Sequence, residues 1–429
     1  MNEGLIIMFI VLGVCLLIGV PVAFSIGISC VTLLYVNGPS MEILLQRMVS
    51  GAKSSSMLAM PMFIFAGALM VYGSTPRLIR LAKMLLRRIP GGLGATAMAA
   101  CGFFGAVSGS GVASAAAIGK IIGPSMLEQG YPKGLTAGLI AAGGTMACII
   151  PPSIVMVVYA QAAGVAVGDM FLGGVLPGLL TICALIALNC FFAARRQKKE
   201  ERDDHVYTSK EALKIVLDAF LPLLMPVAVL GGVFSGICTA TEASVVAAVY
   251  AFILAVFVYR ELTLKDFFHV AADAVVTTGV IMMIISMAAP FGWIMSTQKV
   301  PQMFASWLMG ITDSKFMILA FIFLLLMILG CFMETVCIII LVTPILLPIA
   351  ISVGLTPLHF GIALLMSLMV GSLTPPLSVN LFTSCRVLGM RVDEAFPHTL
   401  CVIATVALMA IVTFAVPGLS EFLPRVLGA

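Results

Sequence analysis

A proline pair occurs twice inside apolar sequence, at Pro151-Pro152 and Pro375-Pro376. Pro124 and Gly130 precede the first pair as Pro348 and Gly354 precede the second, so the frame repeats at an offset of 224 residues. Each pair removes two backbone donors and clashes with the preceding turn, which breaks a helix. In hydrocarbon the freed carbonyls need another partner. The unwound stretches, Gly143 to Ser153 and Gly371 to Ser378, offer carbonyl and hydroxyl oxygens before the prolines and a helix N-terminus after them. Such oxygens suit a hard monovalent cation such as Na⁺, and exposed N-terminal N–H groups suit a carboxylate. One isolated pair reads better as a kink satisfied by nearby Ser and Thr. Two in register point to the ion and substrate site of a secondary transporter.

Each break has a polar partner upstream. Ser108-Gly109-Ser110-Gly111 separates apolar stretches 93–107 and 112–127, each short for a full span. A re-entrant helix–turn–helix with this tip at mid-membrane fits, since glycine permits the turn and serine supplies oxygen ligands. The competing reading is a small-residue packing surface. The matching tip is Phe332-Met333-Glu334-Thr335, where Glu334 is the one acidic residue in the run 316–351. An intramembrane carboxylate is a functional candidate, and it also suits the cap of a helix N-terminus. Both roles stay open. A proton relay would need several buried Asp, Glu or His, so Na⁺ is the expected coupling ion, with at least two bound.

Composition sets the class. The chain has 429 residues, 61% hydrophobic and 10% charged, with a mean hydropathy of +1.18. This is a polytopic membrane protein with no nucleic-acid partner expected. The opening apolar stretch lacks a basic flank and a cleavage site, so it reads as mature membrane segments. The 11 Cys are scattered and the 4 His lie far apart, which implies neither a disulfide framework nor a metal cluster.

These sites need particular elements to position them. Helices are expected at 5–20, 21–36 and 54–72, then a basic arm at 77–90 lying on cytoplasmic headgroups. A hairpin at 93–128, a broken helix at 131–165 and a helix at 170–193 follow. The second half holds helices at 212–235, 240–259 and 274–296, an arm at 298–311, a hairpin at 314–352, a broken helix at 357–388 and a helix at 398–424. The fold class is all-α, with two inverted repeats (1–194 and 212–429) joined by a cytoplasmic linker at 195–211. Along this path only Arg47, Lys53, Lys299, Lys315 and Arg425 of the 23 Lys and Arg face away from the cytoplasm. Both termini are then outside. Upstream the repeat is weak: Pro21-Val22-Ala23 is matched to Pro226-Val227-Ala228. Thr239-x-Thr241-Glu242 reads as a capped helix start, and Asp169 as part of another.

The run SGSGVASAAAIGKIIGPSMLEQGYPKG, then GTMACIIPPSIVMVVYA, VGDMFLGGVLPGLL, GGVFSGICTATEASVVAAVYA and GSLTPPLSVNLF, resembles the large membrane subunit of TRAP transporters, the DctM-like type. The resemblance covers nearly the whole chain. Ser378 stands where family members often have Gly, and Cys238 and Ala240 depart from the usual small-residue run. It implies import of organic acids on a sodium gradient at the bacterial inner membrane. It also implies a periplasmic binding protein, a separate small four-helix membrane subunit, and elevator movement of hairpins and broken helices against a scaffold. In length the chain is similar to sialic-acid (SiaM-like) subunits, with four-carbon dicarboxylates as the other substrate class.

Carried over by position, a first Na⁺ site uses Ser108, Ser110, Gly144, Thr145 and the carbonyls before Pro151, Ile150 among them. A second uses Glu334, Thr335, Gly371 and Thr374. Substrate lies near Ser110, Ser153, Thr335 and Asn380. The rival within transport is a stand-alone Na⁺/divalent-anion symporter of related hairpin architecture. An intramembrane enzyme would need a nucleophile or metal constellation, and no HExxH or GxSxG is present. A channel would need a selectivity filter that the sequence does not display.

Overall fold

The computed structural model describes residues 3–37, 41–53, 55–195, 207–312, 314–375 and 378–427. Most of the expected linker, and Pro376 of the second proline pair, lie outside the described residues. Among the described residues the chain forms nineteen α-helices. The first half opens with α1 (Glu3–Leu17), α2 (Val22–Asn37), α3 (Met41–Ala52) and α4 (Ala59–Leu86). A hairpin of α5 (Gly92–Ser108) and α6 (Gly111–Glu128) leads to a broken helix, α7 (Lys133–Met146) and α8 (Ile154–Ala163), and to α9 (Val167–Arg195). The second half begins with α10 (Ser209–Phe234), α11 (Ala240–Ile253), α12 (Leu264–Thr297) and α13 (Val300–Ile311). It continues with the hairpin α14 (Lys315–Phe332) and α15 (Thr335–Ser352) and the broken helix α16 (Pro357–Leu373) and α17 (Val379–Val387). It ends with α18 (Val392–Ala415) and α19 (Gly418–Leu427). Among the described residues, eight helices are long and apolar enough to cross a membrane.

The repeat is visible in the element ends. Ser108, Gly111, Glu128, Lys133 and Ala163 bound helices, and 224 residues later so do Phe332, Thr335, Ser352, Pro357 and Val387. The upstream match fails: Pro21 precedes α2, whereas Pro226 lies inside α10.

Several boundaries correct the sequence reading. Residues 41–52 form a helix that was not expected. Their apolar residues are few and one-sided, too short a signal for a span. Helix α12 starts at Leu264, ten residues before the expected 274, because Thr263 and Asp266 form a capping box. The last helix is two: α18 begins at Val392 and ends at Ala415, just ahead of Pro417, and α19 starts afresh. Helix α9 begins at Val167, which puts Asp169 in its first turn. The Thr239–Glu242 cap is present, with Glu242 Oε2 accepting Thr239 N–H at 2.8 Å and Thr239 Oγ1 accepting Glu242 N–H at 3.2 Å.

The expected change between span and arm is a break inside α4, where Tyr72 is extended and Gly73 sits at φ +82°. Arg77, one turn on, stacks on Tyr259 at 3.8 Å and pairs with Glu261 at 2.9 Å. The arm is thereby tied to the α11–α12 connection.

At the centre lie α7 and α16, buried along almost their whole length. Such helices are apolar all round, as a buried helix must be. Tyr159 of α8 donates its hydroxyl to Pro357 O at 2.7 Å, joining the two broken helices. At the start of α16, Thr356 Oγ1 donates to Glu421 Oε1 at 2.6 Å, and His359 Nδ1 lies 2.7 Å from Ser420 Oγ. Helix α19 is locked to the second broken helix through these buried groups.

Candidate functional site

The first tip turns on Gly109, which adopts φ +62° and closes α5 by donating to Gly105 O at 2.8 Å. A Cβ there would sit 2.9 Å from Pro152 O. The tip rests directly on the first proline break. Ser110 follows in extended geometry and accepts Ala113 N–H at 3.4 Å, a long and weak cap. At the second tip Met333 is extended and needs no left-handed residue. Glu334 caps α15 there, its Oε2 accepting Val336 N–H at 2.9 Å and Cys337 N–H at 3.4 Å. Glu334 also remains accessible from the cavity that it lines. Capping and cavity exposure thus occur together.

That cavity, about 180 Å³, is where the two halves meet. Gly111, Ile154, Thr335 and Val379 are the first residues of α6, α8, α15 and α17, and all four line it. Four helix N-termini therefore converge on one space; that of α15 is capped by the Glu334 carboxylate, and those of α6, α8 and α17 carry no acidic cap and keep their partial positive charge. Asn380 reaches across from α17, and a Cβ on Gly111 would lie 3.2 Å from its Nδ2. Asn380 is 6% exposed, and its Oδ1 has no hydrogen-bond partner among the described residues. A larger cavity of about 610 Å³ has an almost wholly apolar wall, including Leu5, Phe9, Phe304 and Trp307, and offers no such chemistry.

Of the residues expected near substrate, Ser110, Thr335 and Asn380 line this cavity. Ser153 does not. It sits buried at the cap position of α8 and donates its hydroxyl to Cys148 O at 2.6 Å, bridging the proline break. Of the residues expected at the first ion site, Ser108 has its hydroxyl 3.3 Å from that of Ser114 beside the tip. A Cβ on Gly144 would meet Gly111 O at 2.7 Å, so tip and break are in contact. Thr145 donates to Ala142 O at 2.7 Å, and Ile150 lies on the same turn chain ahead of Pro151. At the second, Gly371 packs on Gly330, where a Cβ would be 2.5 Å from Gly330 Cα. Thr374 donates to Val370 O at 2.8 Å and stands away from the cavity lining, whereas Ser372 joins it. Cys148 from the first break, and Thr277 and Ile281 from α12, also line the cavity. Sequence reasoning missed all three.

Across residues 9–419 the chain matches the family model described as "Tripartite ATP-independent periplasmic transporter, DctM component". The chain belongs to this DctM family. It is 38% identical over 410 residues to the isethionate TRAP transporter permease protein DctMQ of Oleidesulfovibrio alaskensis, covering 95% of this chain and 64% of that protein. It is 37% identical over 406 residues to the C4-dicarboxylate TRAP transporter large permease protein DctM of Pseudomonas aeruginosa, covering 94% of each. To the sialic acid TRAP transporter large permease protein SiaM of Vibrio cholerae it is 36% identical over 375 residues, 86% of each. A solved structure, the Alcanivorax borkumensis YdaH transporter, shares the fold at a TM-score of 0.59 and 15% identity, covering 88% of both chains. As a DctM-family permease the chain is a multi-pass inner-membrane transporter of organic acids, not an enzyme.

Proposed function

We propose that this DctM-family permease imports an organic acid by Na⁺-coupled elevator transport, taking it from a periplasmic binding protein and working with a small four-helix membrane subunit. The observation that carries this reading is the convergence of four helix N-termini on one cavity. An anion there meets oriented N–H groups without needing a cationic side chain. Substrate carboxylate lies against the starts of α6, α8 and α17, beside Ser110, Thr335 and Asn380. Two Na⁺ ions sit behind it, each between a hairpin tip and a proline break. The first is held by oxygens of Ser108, Ser110, Gly144, Thr145 and Ile150, the second by those of Glu334, Thr335, Gly371 and Thr374. Inversion of the two halves supplies the two end states of alternating access.

Sialic acid or a related carboxylate is the first substrate reading. A four-carbon dicarboxylate is the second, favoured by the 37% identity to the Pseudomonas aeruginosa relative of that name. Cys148 gives a direct test of the site. With the other ten cysteines replaced, the transported acid plus Na⁺ should slow thiol labelling of Cys148 in the complex, and Na⁺ alone should slow it less. Labelling unaffected by an acid that the same complex transports would place the substrate elsewhere. Labelled sialic acid against a labelled dicarboxylate then separates the two substrate readings.

A further inference from the structure

The cavity has one wall that comes from neither hairpins nor broken helices. It is α12, which packs on α2, α3 and α4 as well as on α15. Ser286 of α12 donates to Met48 O of α3 at 3.0 Å, which ties this helix to the flanking elements. Thr277 and Ile281, one turn apart on α12, face the cavity.

Thr277 departs from most threonines of these helices; some others also lack a hydroxyl hydrogen bond among the described residues, of which Thr136 and Thr343 are buried and Thr335 lines the same cavity. A threonine in an apolar helix usually donates its hydroxyl to the carbonyl one turn back. Thr75 does so to Val71 O at 3.2 Å, Thr181 to Pro177 O at 2.7 Å, Thr405 to Cys401 O at 2.9 Å and Thr413 to Met409 O at 2.8 Å. The Thr277 hydroxyl makes no hydrogen bond among the described residues and is exposed. Exposed on the cavity wall and not committed to its own backbone, that hydroxyl is available to a polar group of a bound molecule. Across the space stand the N-termini of α6, α8 and α17, which attract the acidic end of a bound molecule.

We propose that Thr277 is a specificity-determining residue, hydrogen-bonding a second polar group of the substrate on the side away from the hairpin tips. This rests on the transport reading above. The favoured substrate class is an acid carrying a hydroxyl, carbonyl or second acidic oxygen remote from its carboxylate. The contact forms between the tips and a helix anchored to α3, so it is made in this conformation and is lost when the tips move relative to α12.

The test uses the permease reconstituted with its small subunit and saturating binding protein, and labelled sialic acid and dicarboxylate as probes. Thr277→Val should raise KM for the transported acid roughly three- to tenfold, the effect of one hydrogen bond. The maximal rate should change less and the half-saturating Na⁺ concentration should not move. Thr277→Ser should restore the wild-type KM, since it keeps the hydroxyl and loses only the methyl. An unchanged KM in Thr277→Val, or a Ser variant no better than Val, would overturn the assignment while leaving the transport reading intact. Absence of Na⁺-dependent uptake of either acid by the wild-type complex would instead overturn the transport reading, and this assignment with it.

Discussion

The two hairpin tips occupy the same backbone position, 224 residues apart, and do different chemistry. At the first, a left-handed Gly109 makes the turn and Ser110 caps weakly, so the positive end of α6 stays open to the cavity. At the second, extended Met333 makes the turn and the Glu334 carboxylate already takes two N–H groups of α15. Equivalent positions in the repeat thus carry different turns and unequal charge. The first tip presents helix N–H groups, the second a carboxylate oxygen left over. The fold repeats the scaffold, and the residue at the cap, Ser110 or Glu334, sets the charge that each copy presents.

Removing that charge should have the largest effect. Glu334→Gln keeps the shape and one acceptor, and Na⁺-driven uptake should fall roughly ten- to a hundredfold, the value of a charge-assisted contact. Initial rates in proteoliposomes at several Na⁺ concentrations check this; a wild-type rate would make the two tips equivalent. Next comes the turn itself. Gly109→Ala forces a side chain into the left-handed region at a cost of roughly 1–2 kcal/mol, before its clash with Pro152 O. It should lower the apparent Tm and uptake together, whereas Met333→Ala should do neither through backbone strain, since Met333 is extended. Thr145→Val and Thr374→Val each remove a hydroxyl beside a break while keeping its shape. Each should raise the half-saturating Na⁺ concentration several-fold, in line with one ligand lost. Unchanged Na⁺ dependence in both would remove these residues from the ion sites. Ser110→Ala should be mildest for stability, near the low end of about 0.5–2 kcal/mol for a lost cap because the bond is long. A melting shift as large as that of Glu334→Gln would contradict the contrast between the tips.

Much of this was legible in the sequence because covalent geometry leaves few choices there. Proline pairs break helices in any context, and a lone glutamate between two aliphatic runs has few places to go but a cap. The element ends at Phe332 and Thr335 follow from that glutamate, and those at Ser108 and Gly111 from the glycines of the first tip. The start of α12 was readable too, since Thr263 and Asp266 carry the capping pattern. Helix α3 was not, because twelve residues with a narrow apolar face look like a loop until neighbours cover them. Ser153 shows the limit for the site. Its type suits a ligand, yet the unwound Cys148 carbonyl beside it needs a donor more, and only the fold shows which claim wins. Thr277 lay beyond reach for the opposite reason. Threonines in apolar helices mostly bond to their own backbone, and no spacing rule marks the one that faces a cavity.

The proposed coupling joins acid binding among these helix ends to Na⁺ held at the tips and breaks. It is tested most directly by uptake of labelled acid into proteoliposomes holding the permease, its small subunit and a binding protein. Na⁺ is exchanged for K⁺ while the pH gradient is kept constant. Uptake should collapse without Na⁺ and return when an inward Na⁺ gradient is restored. Undiminished uptake in the absence of Na⁺ would contradict that coupling.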